Sequence, residues 1–286
     1  MTTLTRAGIR TARRVVVKVG SSSISGENAG KIQTIVEALT VAHGRGTEVV
    51  LVSSGAIATG MPFLALDARP SDLATQQAAA AVGQNVLIYR YQDALRPFGI
   101  VAGQVLLTAG DLENPTPRSN ARRAMERLLG LRILPIVNEN DTVATHEIRF
   151  GDNDRLAALV AELIGADALI LLSDIECLYT RPPGEPGAMP IDRVEYGDDL
   201  HGFEFGSVVV NSVGTGGAAT KVSAARVAAA SGVGVLVTSA DLVDRALDGE
   251  AIGTWFDPNP EPGAAPVTGP IRNAVGPALP ADTLGR

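Results

Sequence analysis

The feature that most constrains this chain is a series of short, continuous apolar runs, each closed by small or polar residues and separated from the next by stretches with helical spacing. Val15 to Val19, Val49 to Val52, Ile133 to Val137, Ala168 to Leu172 and Val233 to Val237 are such runs, and Ile100 to Leu107 reads as a further strand. A strand with one face in water alternates apolar and polar residues. Continuous β-branched runs belong to strands covered on both faces, as in a parallel sheet clad by helices. Between them lie Lys31 to His43, with Ile32, Ile35, Val36 and Leu39 at helical spacing, and Asp72 to Leu95, rich in Ala and Gln, which reads as one long helix or two. Ser119 to Leu129 reads as a helix capped by Ser119 or Asn120, and Arg155 to Gly165 and Ala218 to Ser231 read as two more. Asp241 to Leu247 and Gly253 to Phe256 read as a last helix and an edge strand, and Val208 to Val210 as a short strand. The alternation predicts an α/β fold with a mainly parallel central sheet.

Ligands bind such sheets beyond the carboxyl ends of the strands, so the residues that follow the apolar runs carry the functional information. Small-residue turns that suit phosphate occur at Gly20 to Ser23, Ser53 to Gly55 and Gly214 to Gly217. The last runs straight into the Ala-rich helix as Gly214-Thr-Gly-Gly-Ala-Ala-Thr-Lys221, combining close backbone approach, a helix N-terminus and a lysine in the first turns. Gly55 to Gly60 has Walker spacing, but Met61 stands where the lysine is required, and no dinucleotide-binding glycine fingerprint follows the first strand. Lys18 interrupts an otherwise apolar strand. Burying it without a partner is costly, so it reaches an anion or a carboxylate at the strand end.

The densest polar stretch is Asn138 to Asp154, with Glu139, Asp141, Asp152 and Asp154 among Asn138, Asn140 and Asn153, and with a possible small hairpin at Thr142 to Phe150. It lacks the ligand spacing of a calcium loop, and N-capping by Asn153 or Asp154 accounts for only part of it. His43, His146 and His201 are scattered without zinc spacing, and no credible Cys or Ser nucleophile pairs with a His, which disfavours acyl-enzyme hydrolysis. Lysines, glycine turns and acids are the equipment of phosphoryl transfer by positioning and charge neutralisation.

A net charge of −7 disfavours nucleic-acid binding, and the apolar run after Arg13-Arg14 is too short for a signal peptide or a membrane span. Cys177 is the only cysteine, read as a small buried hydrophobe in a reducing compartment, so the expected location is the cytoplasm. Arg181 to Pro190, with four prolines and two glycines, is an exposed loop.

The order of VVVKVGSSS, VSSGAIATG, NARRAMERLLGLRILPIVNENDTVATHEIRFGDNDRLAAL, LLSDIECLYT and GTGGAATK followed by GTWF resembles the amino acid kinase superfamily and, within it, the glutamate 5-kinases. The resemblance covers Val15 to about Phe256 and implies a three-layer α/β/α sandwich that phosphorylates the γ-carboxylate of glutamate with ATP and Mg²⁺, the metal arriving on the nucleotide phosphates. It assigns Lys18 and Lys221 to the transferring phosphoryl group and Asp154 to holding both lysines. It assigns Ser54, Asp141 and Asn153 to glutamate, with Asp141 suited to the ammonium and Ser54 and Asn153 to the carboxylates. Ser173, Asp174, Thr215, Gly216, Gly217, Ala218, Ala219, Thr220 and Lys221 correspond to the ATP site. Glu176-Cys177 departs from the usual Asp-Gly, and Ala218 from a common methionine. The expected division is a kinase domain over 1–257 and a Pro/Gly-rich flexible tail over 258–286, without the RNA-binding-type PUA domain of most bacterial relatives. Small-molecule substrates and a homo-oligomer, dimer or tetramer, are the expected partners. A paralogous kinase of another carboxylate and a non-catalytic glutamate- or proline-sensing protein are the alternatives.

Overall fold

The computed structural model describes residues 4–144, 153–200 and 217–262. In chain order, strand β1 (Arg14–Val19) leads through short 3-10 turns to helix α1 (Lys31–Gly44), then β2 (Glu48–Ser53), the five-residue helix α2 (Ala56–Gly60) and the long α3 (Leu73–Leu95). Next come β3 (Ala102–Leu107), α4 (Ala109–Glu113), α5 (Pro115–Gly130), β4 (Leu134–Glu139), α6 (Asn153–Ile164) and β5 (Ala168–Ser173). The remainder comprises β6 (Leu178–Tyr179), β7 (Pro190–Ile191), β8 (Arg193–Val194), α7 (Ala218–Ala230), β9 (Gly234–Ser239), α8 (Val243–Leu247) and β10 (Thr254–Phe256).

Among the described residues, eight strands form one sheet in the order β3-β4-β2-β1-β5-β9-β10-β8. All neighbouring pairs are parallel except β9 with β10. Because successive strand residues face opposite sides, the continuous apolar runs supply two cores at once. Val16, Val50, Val52, Leu169 and Leu171 pack beneath α5, α6 and α7, while Val15, Val17, Val49, Leu51 and Ile170 pack beneath α1, α3 and α8. The result is the expected three-layer α/β/α sandwich. Among the described residues no helix is long and apolar enough to cross a membrane.

Several expectations are corrected. Helix α5 begins at Pro115 after Asn114, not near Ser119 or Asn120, because a proline in the first helical turn gives up only an N–H that has no intrahelical partner. Strand β10 is not an edge, since Trp255 and Phe256 pair with Arg193 and Val194 of β8. The last helix is a 3-10 turn, Ala240–Leu242, followed by the short α8. Asp72 to Leu95 proves to be one helix, with Asp72 as N-cap accepting from the Thr75 backbone N–H at 2.8 Å. Cys177 is half-buried, not a core residue. The Val208 to Val210 strand, most of the Thr142 to Phe150 hairpin, His146 and His201 lie outside the described residues.

Helices α2 and α3 cross with their backbones in contact. A Cβ on Gly60 would lie 1.9 Å from the Ala79 carbonyl oxygen, and one on Gly83 would lie 1.8 Å from that of Ala56. Both clashes are with backbone, which cannot rotate away. Gly83→Ala is therefore expected to destabilise the protein by about 3 kcal/mol despite the better helix propensity of alanine. Urea unfolding reads this directly, and a midpoint equal to or above that of the parent would show that the helices separate without cost.

Candidate active site

The site is assembled at the carboxyl ends of the central strands, where β1, β2, β4 and β5 deliver their polar termini. Lys18 is the penultimate residue of β1, paired with Val52 of β2 and Leu171 of β5, so it stands in the middle of the sheet. Its parity with Val16 turns the side chain to the face covered by α6 and α7. There Asp154, wholly inaccessible to solvent in the first turn of α6, meets it, with Nζ 2.5 Å from Oδ1. Lys221, in the first turn of α7, approaches the other carboxylate oxygen at 3.1 Å, and the Thr220 hydroxyl donates to the same oxygen at 3.3 Å. Asn153 and Asp154 are thus the opening residues of α6 itself and not caps to a helix starting at Arg155.

Burial alone would push the Asp154 carboxyl up. The ammonium groups of Lys18 and then Lys221 outweigh it and hold the carboxyl below the usual aspartate range. A depressed folded value means that the stabilisation from this ionised group is complete above the ordinary aspartate value and is lost as pH falls through the lowered one. At neutral pH the cluster therefore holds two ammonium groups against one carboxylate. The resulting net positive charge at a strand end is suited to an anion.

Around it the small-residue turns converge. Gly55 has φ +93°, a conformation that favours glycine, and an added Cβ would be 3.5 Å from Cα of Ser21, so the turns after β1 and β2 lie against each other. The backbone N–H of Ser54 donates to Val19 O at 3.1 Å. At the start of α7, Thr220 Oγ1 accepts from the Gly217 N–H at 3.1 Å, with Ala218 and Ala219 forming the first helical positions. Ser173 closes β5 beside Asp174, its hydroxyl donating to Oδ1 at 3.1 Å. Thr215 and Gly216 lie outside the described residues.

The amino-acid side of the expected site is a cleft of about 290 Å³ whose walls include Asp141, Glu139, Asn140, Gln104 and Ala56. Asn153 Nδ2 donates to the Ser53 carbonyl at 2.6 Å and to Asn138 Oδ1 at 2.7 Å. Both hydrogens of the side-chain amide are engaged within the protein, so in this arrangement a donor from Asn153 to a ligand is its backbone N–H at the start of α6. Asn138, 2% exposed on β4, was legible as part of the carboxamide-rich stretch, but its role as Asn153's acceptor was not. The Thr220 contact to Asp154 was likewise invisible, because it joins two helices distant in sequence.

The model of the amino acid kinase family matches residues 13–239. The glutamate 5-kinase of Clavibacter michiganensis subsp. michiganensis is 71% identical over 258 residues, covering 90% of this chain and 99% of the relative. That of Leifsonia xyli subsp. xyli is 71% identical over 261 residues, covering 91% and 97%. Among solved structures, the carbamate kinase of Giardia lamblia superposes with a TM-score of 0.63 at 17% identity, covering 87% of this chain and all of that one, a likeness of fold. The chain belongs to the amino acid kinase family, in its glutamate 5-kinase branch.

Proposed function

We propose that this protein transfers the γ-phosphoryl group of ATP to the γ-carboxylate of L-glutamate, giving γ-glutamyl 5-phosphate and ADP, the first step of proline biosynthesis. The observation that carries this reading is the buried Lys18–Asp154–Lys221 cluster at the head of β1. A glutamate side chain titrates near pH 4, so the acceptor is already ionised at neutral pH and no general base is needed. The barrier lies in bringing two anions together. A γ-carboxylate oxygen forms the new bond to phosphorus as the bond to the ADP oxygen breaks, and negative charge is shared over the transferring group.

Lys18 and Lys221 neutralise that charge, and Asp154 holds both ammonium groups in place. The N-terminus of the thirteen-residue α7, with Gly217 before it, adds backbone donors for the polyphosphate. Ser173 and Asp174 face the nucleotide from the end of β5. Preorganised donors of this type contribute roughly 3–4 kcal/mol each to transition-state stabilisation. The residues fit ATP carrying its own metal: both oxygens of Asp154 meet lysines, and Mg²⁺ would arrive on the nucleotide phosphates, where it would supply further charge neutralisation. Asp141, on the cleft wall, takes the α-ammonium of glutamate.

Hydroxylamine trapping tests the reading. Incubation with MgATP and glutamate should yield glutamyl hydroxamate and one ADP per hydroxamate. Hydroxamate formed only with another acid would replace this reading by the paralogous kinase, and glutamate binding without ADP release would replace it by the sensor.

A further inference from the structure

Asp154 divides its carboxylate between two lysines that hold it unequally. Lys18 Nζ lies 2.5 Å from Oδ1, whereas Lys221 Nζ stands 3.1 Å from Oδ2. The longer pair gives up less Coulomb energy as it opens, so Lys221 is the ammonium more readily drawn to an incoming phosphoryl group. Asp154 is wholly inaccessible to solvent, and water does not readily take over at Oδ2 as that ammonium turns away.

Thr220, the residue before Lys221, brings a second donor to the same oxygen. Its hydroxyl carries one hydrogen and lies within reach of two acceptors, the Gly217 carbonyl at 2.9 Å and Asp154 Oδ2 at 3.3 Å. The hydrogen is shared between them, and the shorter distance favours Gly217 while Lys221 occupies Oδ2. The Gly217 carbonyl does not depend on it, because the Lys221 backbone N–H donates there as well, at 3.3 Å, in the first turn of α7. The Gly217 N–H in turn donates to Thr220 Oγ1 at 3.1 Å, which fixes the oxygen whichever way its hydrogen points. Moving the hydrogen from one acceptor to the other takes a rotation about one C–O bond and no movement of the backbone.

Resting on the phosphoryl-transfer reading above, we infer that Thr220 is a positioning residue whose hydroxyl stands in for Lys221 at Asp154: as the ammonium is drawn to the transferring group, the hydrogen turns from Gly217 to Oδ2. The carboxylate then stays aimed at Lys18, and the cost of engaging Lys221 falls by one charge-assisted hydrogen bond. Thr220 acts on the reaction through Asp154.

A double-mutant cycle on the full chain tests this. Thr220→Val keeps the branched shape and removes the hydroxyl. Its loss as a helix cap weighs equally in any background, whereas its loss as a donor to Oδ2 weighs most where Lys221 is missing. Thermal unfolding of the parent, Thr220→Val, Lys221→Ala and the double variant separates the two. The valine substitution should lower Tm by about 5 °C more in the Lys221→Ala background than in the parent. With Lys221 present, it should lower kcat about 10-fold at an unchanged KM for glutamate, and Thr220→Ser should return kcat close to that of the parent. Thr220→Ala replaces the valine variant if that one does not fold. Equal losses of Tm in the two backgrounds would reduce Thr220 to a helix cap. A parent-like kcat in Thr220→Val, or a serine variant as slow as the valine one, would overturn the positioning role. A parent without glutamate-dependent hydroxamate would instead refute the proposed function; the unfolding cycle uses no substrate and still decides whether the hydroxyl serves Asp154.

Discussion

Lys221→Ala is expected to lower kcat by about 10²–10³-fold while leaving the protein folded, with a melting temperature equal to or above that of the parent. The two halves of this expectation have one cause. Lys18 and Lys221 share the single carboxylate of Asp154, so the cluster carries an excess positive charge in a nearly dry environment. Removing Lys221 leaves a neutral pair, Lys18 with Asp154 at 2.5 Å, and Asp154 Oδ2 keeps the Thr220 hydroxyl. Stability is therefore preserved or improved, whereas the transferring phosphoryl group loses one of its cations. Ligand-induced stabilisation should fall too, because ATP binds the excess charge that the variant lacks. Steady-state kinetics and thermal unfolding with and without ATP measure both effects. A near-parent kcat would remove Lys221 from the catalytic machinery.

Asp154→Asn should do the opposite to stability. It leaves two ammonium groups, 4% and 9% exposed at their side chains, facing each other without a counter-charge. Breaking a buried pair in this way costs about 3–5 kcal/mol, and in a chain of this size the melting temperature should drop by roughly 10 °C. Turnover should fall by at least about 10²-fold, because both lysines lose the group that aims them. The pH dependence adds a second readout. In the parent, acid removes the Asp154 contribution only below the ordinary aspartate range, where the lowered carboxyl titrates. The asparagine variant should lack that component of acid sensitivity and start from a lower plateau. Equal melting temperatures for Asp154→Asn and Lys221→Ala would contradict the charge balance that underlies both expectations.

Much of the site was legible because the physical demand was local. A lysine inside VVVKV has to find an anion, and a glycine-rich run entering a helix has to offer backbone donors. Other features were illegible for an equally definite reason. Asn153 and Asp154 read as loop or cap residues, since a helix boundary depends on what the first turn contacts; here α6 begins early because Asp154 is engaged by two lysines and Asn153 by β2 and β4. Gly253 to Phe256 read as an edge because β8, two residues long, has no detectable pattern. Gln84 read as one more residue in an Ala- and Gln-rich helix, and its contact with Asn138 and its place on the cleft wall distinguish it.

The sequence by itself determined the alternation of strands and helices, the strand-end position of the polar turns and the need of Lys18 for an anionic partner. Those properties follow from periodicity and from the cost of burying a charge, both of which act over a few residues. Only the tertiary structure decided which carboxylate meets which lysine, and which acceptors take the side-chain amide hydrogens of Asn153. These depend on sheet order, which brings β1, α6 and α7 together from distant parts of the chain. They depend as well on hydrogen-bond polarity, which the Glu139 N–H and the Ser53 carbonyl set for the Asn138–Asn153 pair.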